Sequence, residues 1–167
     1  MNTIGTVAVL GSGTMGGGIA QACALQGRRV LLYDILDSIA QAGLERIRRS
    51  LQKGVELGKT APEAAQAALA RLSTTADLEL CAPADLVIEA APEKMELKRN
   101  LFASLDSLLP PHALLASNTS SLSITALAAG TQRPDRVLGL HFFNPPVVMQ
   151  LVEVERGDGT SAQTVQA

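Results

Sequence analysis

Aromatic residues are nearly absent from this sequence: Tyr33, Phe102, Phe142 and Phe143 are the only ones, 2% of 167 residues, and there is no tryptophan. Modules that stack bases on aromatic platforms, and antiparallel β folds whose cores are filled with rings, therefore fit it poorly. Cysteine is scarce too. Cys23 and Cys81 lie far apart with no CxxC spacing and no nearby histidine, which argues against a disulfide framework and a metal site and leaves two inert thiols. No apolar run approaches the ~18 residues of a membrane helix, and the first basic residue is Arg28, so a signal peptide would lack its charged start. The expected setting is the cytoplasm, without membrane association. The formal net charge of −2 is spread over mixed signs, so no field attracts polyanions and nucleic acid is not an expected partner. Arg46, Arg48, Arg49, Lys53 and Lys59 nonetheless cluster in one segment.

What is present is an aliphatic alphabet. Apolar residues make up 47% of the chain, mostly Ala, Leu, Val and Ile, which suits helices packed on a Val/Leu-rich sheet. The length is that of one domain. Residues 6–10 (TVAVL) read as a strand ending in glycine, residues 15–26 as a helix stopped by Gly27, and residues 29–33 (RVLLY) as a second strand. Together they form a unit the size of a βαβ crossover. The third strand is then delayed by a helical pair. Leu36, Ile39, Ala40, Leu44, Ile47, Leu51 and Val55 recur at helical spacing, and Thr60 with Glu63 reads as a capping box opening the second helix. Strands are expected again at residues 72–75, 85–89, 113–117, 137–140 and 151–154, with helices over 95–109 and 123–129 between several of them. Alternation of this kind predicts an α/β fold with a doubly wound, mostly parallel sheet.

Gly11, Gly13 and Gly16 form a GxGxxG run, with Thr14 and Met15 inside it, placed after a strand and opening a helix. In that context the first glycine permits a tight turn, the second lets backbone N–H groups approach a pyrophosphate, and the third lets helix and strand pack closely. Asp34 ends the next strand, about 20 residues on, where a carboxylate reaches a ribose diol. No Arg or Lys follows it immediately, which favours NAD over NADP. His141 follows the expected 137–140 strand, at the carboxyl end where ligands of open α/β sheets bind. Taken alone, a histidine ending a strand is more often a structural residue. Its neighbours favour chemistry: Asn144 offers an amide, Pro145 and Pro146 stiffen the turn, and Glu153 on the next strand could hold one ring nitrogen, leaving the other as a base. His112, beside Pro110 and Pro111, reads as a solvated turn residue. Residues 117–121 (SNTSS), which include Asn118 and Ser120, end another strand; they either bond a substrate oxygen or the nicotinamide carboxamide, or cap the following helix.

GSGTMGGGIAQ, LVIEAAPEKMELK, LLASNTSSLSI and GLHFFNPP, in this order, resemble the NAD-binding domain of the L-3-hydroxyacyl-CoA dehydrogenases over essentially the whole chain. The resemblance implies a Rossmann-like sheet with a helical pair inserted after its second strand, NAD as cofactor and an acyl-CoA thioester as substrate. It implies that His141 is the catalytic base, Glu153 its orienting carboxylate, and Ser120 and Asn144 groups lining the substrate and nicotinamide site. Glu93 and Lys98 match cofactor contacts beyond the glycine loop, and Ser50 matches a coenzyme A contact. The lysine that usually assists Ser50 falls at Leu57 by ungapped counting, with Lys53 and Lys59 on either side, and Lys53 is taken as the candidate coenzyme A contact. By itself the basic cluster also reads as a solvated helix face.

The family's enzymes continue into a helical domain of ~100 residues or more that closes over the acyl chain and forms a dimer interface. The expected organisation is therefore an NAD-binding domain over residues 1–167, the C-terminal helical substrate and dimerisation domain being absent from this chain. Two other readings are a non-catalytic NAD-binding module and a dehydrogenase of a related 3-hydroxy acid. The first has no need of both His141 and Glu153, and HFFNP is not the motif of the 6-phosphogluconate and hydroxyisobutyrate group.

Overall fold

The structure, a computed structural model, describes residues 4–167; residues 1–3 of the expected domain lie outside the described residues. Seven strands form one sheet: β1 (Thr6–Leu10), β2 (Arg29–Tyr33), β3 (Leu72–Thr75), β4 (Leu86–Glu89), β5 (Leu114–Ser117), β6 (Val137–Phe142) and β7 (Val152–Arg156). Their spatial order is β3-β2-β1-β4-β5-β6-β7, and every pairing is parallel except that of β6 with β7. The chain turns from one half of the sheet to the other between β1 and β4. In open α/β sheets that switch point is where a crevice opens at the carboxyl ends of the strands.

Side chains alternate across the sheet, so each strand feeds two cores. On one face Val7, Val9, Val30 and Leu32 pack against α1 (Thr14–Leu25), α2 (Asp37–Glu56) and α3 (Pro62–Ala70), through Ile19, Ala20, Ile47, Leu51 and Ala68. On the other, Ala8, Leu10, Val87, Leu115 and Val137 meet α4 (Met95–Leu108) and α5 (Ile124–Ala128) through Phe102, Leu105 and Leu127. Fully burying one such aliphatic or aromatic side chain is worth about 1.5–3 kcal/mol. These two layers hold the carboxyl ends of the strands in place.

Several local expectations change in the structure. Thr60 does not cap α3: Ala61 is the N-cap residue, makes no side-chain cap bond, and is followed by Pro62. Gly58 takes a left-handed φ of 67° and ends α2, so Lys59 and Thr60 fold back and donate to the carbonyl of Gly54 at 2.8 and 3.2 Å. Leu36 and Ile39 are exposed, because Leu36 is the N-cap of α2 and the buried stripe begins only at Ala40. His112 is not merely solvated: its Nε2 lies 3.2 Å from Asp85 Oδ1, and Asp85 also accepts from the Gly5 and Thr6 N–H groups. The strand bearing His141 is longer than 137–140, since antiparallel pairing with β7 carries the ladder through His141 and Phe142. Near the end of the described chain Ser161 caps α6 (Ala162–Gln166), while Thr160 is buried and donates to the carbonyl of Val137 at 2.6 Å.

Candidate active site

The glycine loop is built by close packing. Gly11 has a φ of 94°, and a Cβ there would lie 2.6 Å from the Ala90 carbonyl oxygen; a Cβ on Gly16 would lie 1.7 Å from the Gly11 oxygen. Gly13 differs, because a Cβ on it would meet nothing within 4 Å. It is the N-cap of α1 and makes no side-chain cap bond, so the first N–H groups of α1, beginning at exposed Thr14 and half-buried Met15, face an open groove. An anion placed there gains from these donors and from the helix dipole. Buried Ser12 fixes the loop from below: its N–H and hydroxyl each reach Asp34 Oδ2 at 2.7 Å. Asp34 Oδ1 accepts from the Ile35 N–H at 2.8 Å, so both oxygens of the carboxylate are fixed beside the glycine loop. These groups fit a dinucleotide with a free ribose diol.

The groove runs between Gly13, Thr14, Gly17 and Gly18 on one side, Arg46, Ile47 and Ser50 of α2, and the turn at 145–147. Ser50 is thus brought to the glycine loop. Lys53 is not; it is exposed and pairs with Glu56 at 3.4 Å. Arg46, which sequence reading placed only in a basic cluster, donates to the Ser12 carbonyl at 2.6 Å and so braces the loop.

His141 and Glu153 are direct partners in the β6–β7 ladder, and His141 Nδ1 lies 2.9 Å from Glu153 Oε2. A carboxylate only accepts, so Nδ1 carries the proton and Nε2 keeps its lone pair for an incoming hydroxyl. The His141 side chain is 22% exposed, and the Phe143 ring lies 4.7 Å from it, tilted by 49°. Asn118, expected at the site, ties the loop after β5 to this strand, its Oδ1 accepting from the Phe142 N–H at 2.8 Å. Asn144 is exposed in the turn after β6, and Ser120 is exposed in the loop after β5. The helix α5 is capped by Ser123, not by residues 117–121, which frees that loop for other bonds.

Those bonds go to Glu93. Its carboxylate takes the Thr119 hydroxyl, the Ser120 N–H and the Ser121 hydroxyl, and lies 3.1 Å from the Lys98 ammonium. Burial opposes the Glu93 charge, but the bonds from Thr119 and Lys98 and the Lys98 charge outweigh it and hold the carboxyl below its usual range. Lys98 departs from its expected role as a direct cofactor contact. It is 1% exposed, and its ammonium is spent on both oxygens of Glu89 at 2.7 and 2.9 Å, on the Ala91 carbonyl and on Glu93. Glu89, 0% exposed, was not singled out in the sequence; the only signal was a charge closing an otherwise apolar strand, LVIE. Breaking such a buried pair by removing one partner costs about 3–5 kcal/mol. The thiols match expectation: burial pushes Cys23 up to about 11 and Cys81 up to about 12, so both stay protonated at neutral pH.

A parallel sheet of this order, a glycine loop opening α1, and an acid at the end of β2 define a dinucleotide-binding domain, here with a histidine–carboxylate pair at its crevice. Residues 6–167 match the family model described as "3-hydroxyacyl-CoA dehydrogenase, NAD binding domain", and the chain belongs to that family. Over 166 residues it is 49% identical to a 3-hydroxyadipyl-CoA dehydrogenase of Escherichia coli, covering 99% of this chain and 35% of that protein. Among solved structures, a 3-hydroxybutyryl-CoA dehydrogenase from Escherichia coli superposes with a TM-score of 0.96 at 49% identity, over 98% of this chain and 35% of that one. An (S)-3-hydroxybutyryl-CoA dehydrogenase from Ralstonia eutropha gives 0.94 at 44% identity, over 97% and 57%. The chain thus spans between about a third and just over half of the length of these relatives. Among the described residues no helix is long and apolar enough to cross a membrane.

Proposed function

We propose that this domain supplies the NAD site and the catalytic base of an enzyme that oxidises L-3-hydroxyacyl-CoA to 3-oxoacyl-CoA. The observation that carries the reading is the His141–Glu153 pair, held by strand register at the carboxyl end of β6. When bound, NAD+ supplies the acceptor for the hydride leaving C3 of the substrate. His141 Nε2 takes the proton of the 3-hydroxyl, and Glu153 stabilises the imidazolium so formed. Ser120 and Asn144 hold the reacting oxygen from the two flanking loops, which fixes the direction C3 faces. Gly11, Gly13, Thr14, Met15, Gly16 and Asp34 seat the dinucleotide, with Glu93 and Asn118 shaping its far end and Lys98 supporting Glu93.

Acyl-CoA enters this reading through the relatives' printed names and through Ser50, whose place beside the glycine loop suits the phosphates of a coenzyme A arm; Lys53 would join it from the next turn of α2. A cytoplasmic enzyme, dimeric through a C-terminal helical part that would account for the remaining length of the relatives, completes the proposal. Calorimetry of this chain with NADH and with acetoacetyl-CoA tests it. NADH binding in the micromolar range is expected, and a chain that binds no NADH overturns the reading.

A further inference from the structure

Glu89 closes β4, the central strand of the sheet, flanked by β1 and β5, and is wholly buried. Its Oε1 accepts from the Ala91 N–H at 2.6 Å and from Lys98 at 2.7 Å; its Oε2 accepts from Lys98 at 2.9 Å and from the Ser117 hydroxyl at 2.6 Å. Two arms leave this carboxylate. One runs through Lys98 to Glu93, and from there to Thr119, Ser120 and Ser121. The other runs through Ser117, whose oxygen accepts from the Thr119 N–H at 3.2 Å. Both converge on the loop after β5, where Asn118 reaches across to the Phe142 N–H, one residue from His141. An apolar residue would fill the end of β4 without any desolvation penalty, so a fully bonded charge there signals a requirement for order above it.

We infer that Glu89 is a positioning residue: through Lys98 and Ser117 it sets the 117–121 loop, and with it Ser120 and Asn118, relative to Glu93 and the His141 strand. This inference rests on the proposed function for the statement that the loop borders the bound dinucleotide and substrate. Glu89 touches neither. It holds the groups that would.

A merely structural ion pair predicts that stability and ligand affinity rise and fall together, whereas a positioning role separates them. The test compares the wild-type 167-residue chain with Glu89→Gln, Glu89→Gln/Lys98→Met and Thr119→Val, by thermal unfolding, NADH calorimetry and amide hydrogen exchange. Glu89→Gln should lower the melting midpoint, because it leaves Lys98 underpaired. The double variant removes both charges and should recover much of the midpoint, yet bind NADH about tenfold or more weakly. Exchange of the Thr119 and Phe142 amides should accelerate about tenfold in the double variant while the β1 amides stay protected. Thr119→Val leaves the buried pair intact but takes a partner from Glu93 and from the Leu122 N–H, so it should weaken NADH binding several-fold with a smaller drop in midpoint than Glu89→Gln. NADH affinity that returns with the midpoint in the double variant, or that is unchanged in Thr119→Val, overturns the inference. Unchanged Thr119 and Phe142 exchange in the double variant overturns it as well, whatever NADH does. A wild-type chain that binds no NADH refutes the proposed function instead, and the exchange readout then still decides the role of Glu89.

Discussion

His141 and Glu153 stand directly opposite each other in the antiparallel pairing of β6 and β7, and their side chains meet at 2.9 Å. The partnership is set by backbone register, so it does not depend on a flexible loop to aim the base. Substitutions at the two positions should therefore differ in size. With this domain joined to the C-terminal part of its Escherichia coli relative, His141→Gln should lower kcat for acetoacetyl-CoA reduction by about 10³-fold, since no proton donor remains. Glu153→Gln still accepts the Nδ1 proton but carries no charge to stabilise the imidazolium, and a loss of about 10²-fold is expected. NADH affinity should stay within a few-fold in both. Retained turnover in His141→Gln would sink the base assignment.

Two of the motif glycines, Gly16 and Gly13, should fail in different ways. Gly16→Ala would drive a Cβ to 1.7 Å from the Gly11 oxygen, so the chain should lose several degrees of melting midpoint along with its NADH site. Gly13→Ala meets no protein atom within 4 Å and has an ordinary φ of −63°, so the fold should keep its midpoint. The added methyl would instead occupy the space over the first N–H groups of α1. A stable Gly13→Ala chain with NADH affinity reduced by about tenfold or more is expected by calorimetry. Unaltered affinity would mean that the pyrophosphate lies elsewhere.

These contrasts show what was legible in the sequence. Glycine spacing, the acid at Asp34 and the strand–helix–strand period are local features, and each found its place because local geometry decides it. The His141–Glu153 pair was readable as two residues on neighbouring strands, though not as direct partners, because register depends on where the antiparallel ladder starts. The burial of the Glu89–Lys98 pair is not legible for a different reason. Glu89 is a lone charge at a strand end, Lys98 is marked only by resemblance as a cofactor contact, and it takes the packing of α4 over β4 and β5 to enclose the two together. Thr60 failed through competition: its capping pattern is sound, but Gly58 turns the chain back onto Gly54 first.

Acid should destabilise the chain through two depressed carboxyls. Burial opposes the Asp85 charge, but the N–H groups of Thr6 and Gly5 and the His112 ring outweigh it, so its pKa falls below the usual 3.8. Glu93 falls below its usual 4.5 for the reasons given above. A carboxyl that binds its proton more weakly in the folded chain contributes stability that is fully present above its unfolded pKa. That contribution is lost as pH falls through the folded value. Thermal unfolding should therefore be insensitive to these two groups above about pH 5 and sensitive to them below about pH 4. Asp85→Asn should lower the midpoint by roughly 2–8 °C at pH 7, and the gap from wild type should narrow below about pH 3. A gap that persists unchanged at low pH would show that the Asp85 charge is not what holds Gly5 and Thr6.

Asp34 should decide which dinucleotide binds. Its carboxylate is already anchored by the Ser12 N–H and hydroxyl at 2.7 Å, so it cannot swing away from a 2′-phosphate placed at the ribose. A fixed negative charge there welcomes a diol and repels a phosphate, which predicts that the chain binds NADH about 100-fold or more tightly than NADPH. The anchoring also sets the cost of changing it. Asp34→Ser would leave the Ser12 N–H without its acceptor and the Ser12 hydroxyl with the Ile39 carbonyl alone, so the loop should loosen and NADH affinity drop, while the discrimination against NADPH shrinks. Adding Ile35→Arg, at an exposed position immediately after Asp34, should supply a cation for the 2′-phosphate and reverse the preference. Titration of both variants with NADH and NADPH, read by quenching of intrinsic Tyr33 emission or by calorimetry, measures the switch. Equal affinity of the wild-type chain for the two dinucleotides would remove Asp34 from the cofactor site.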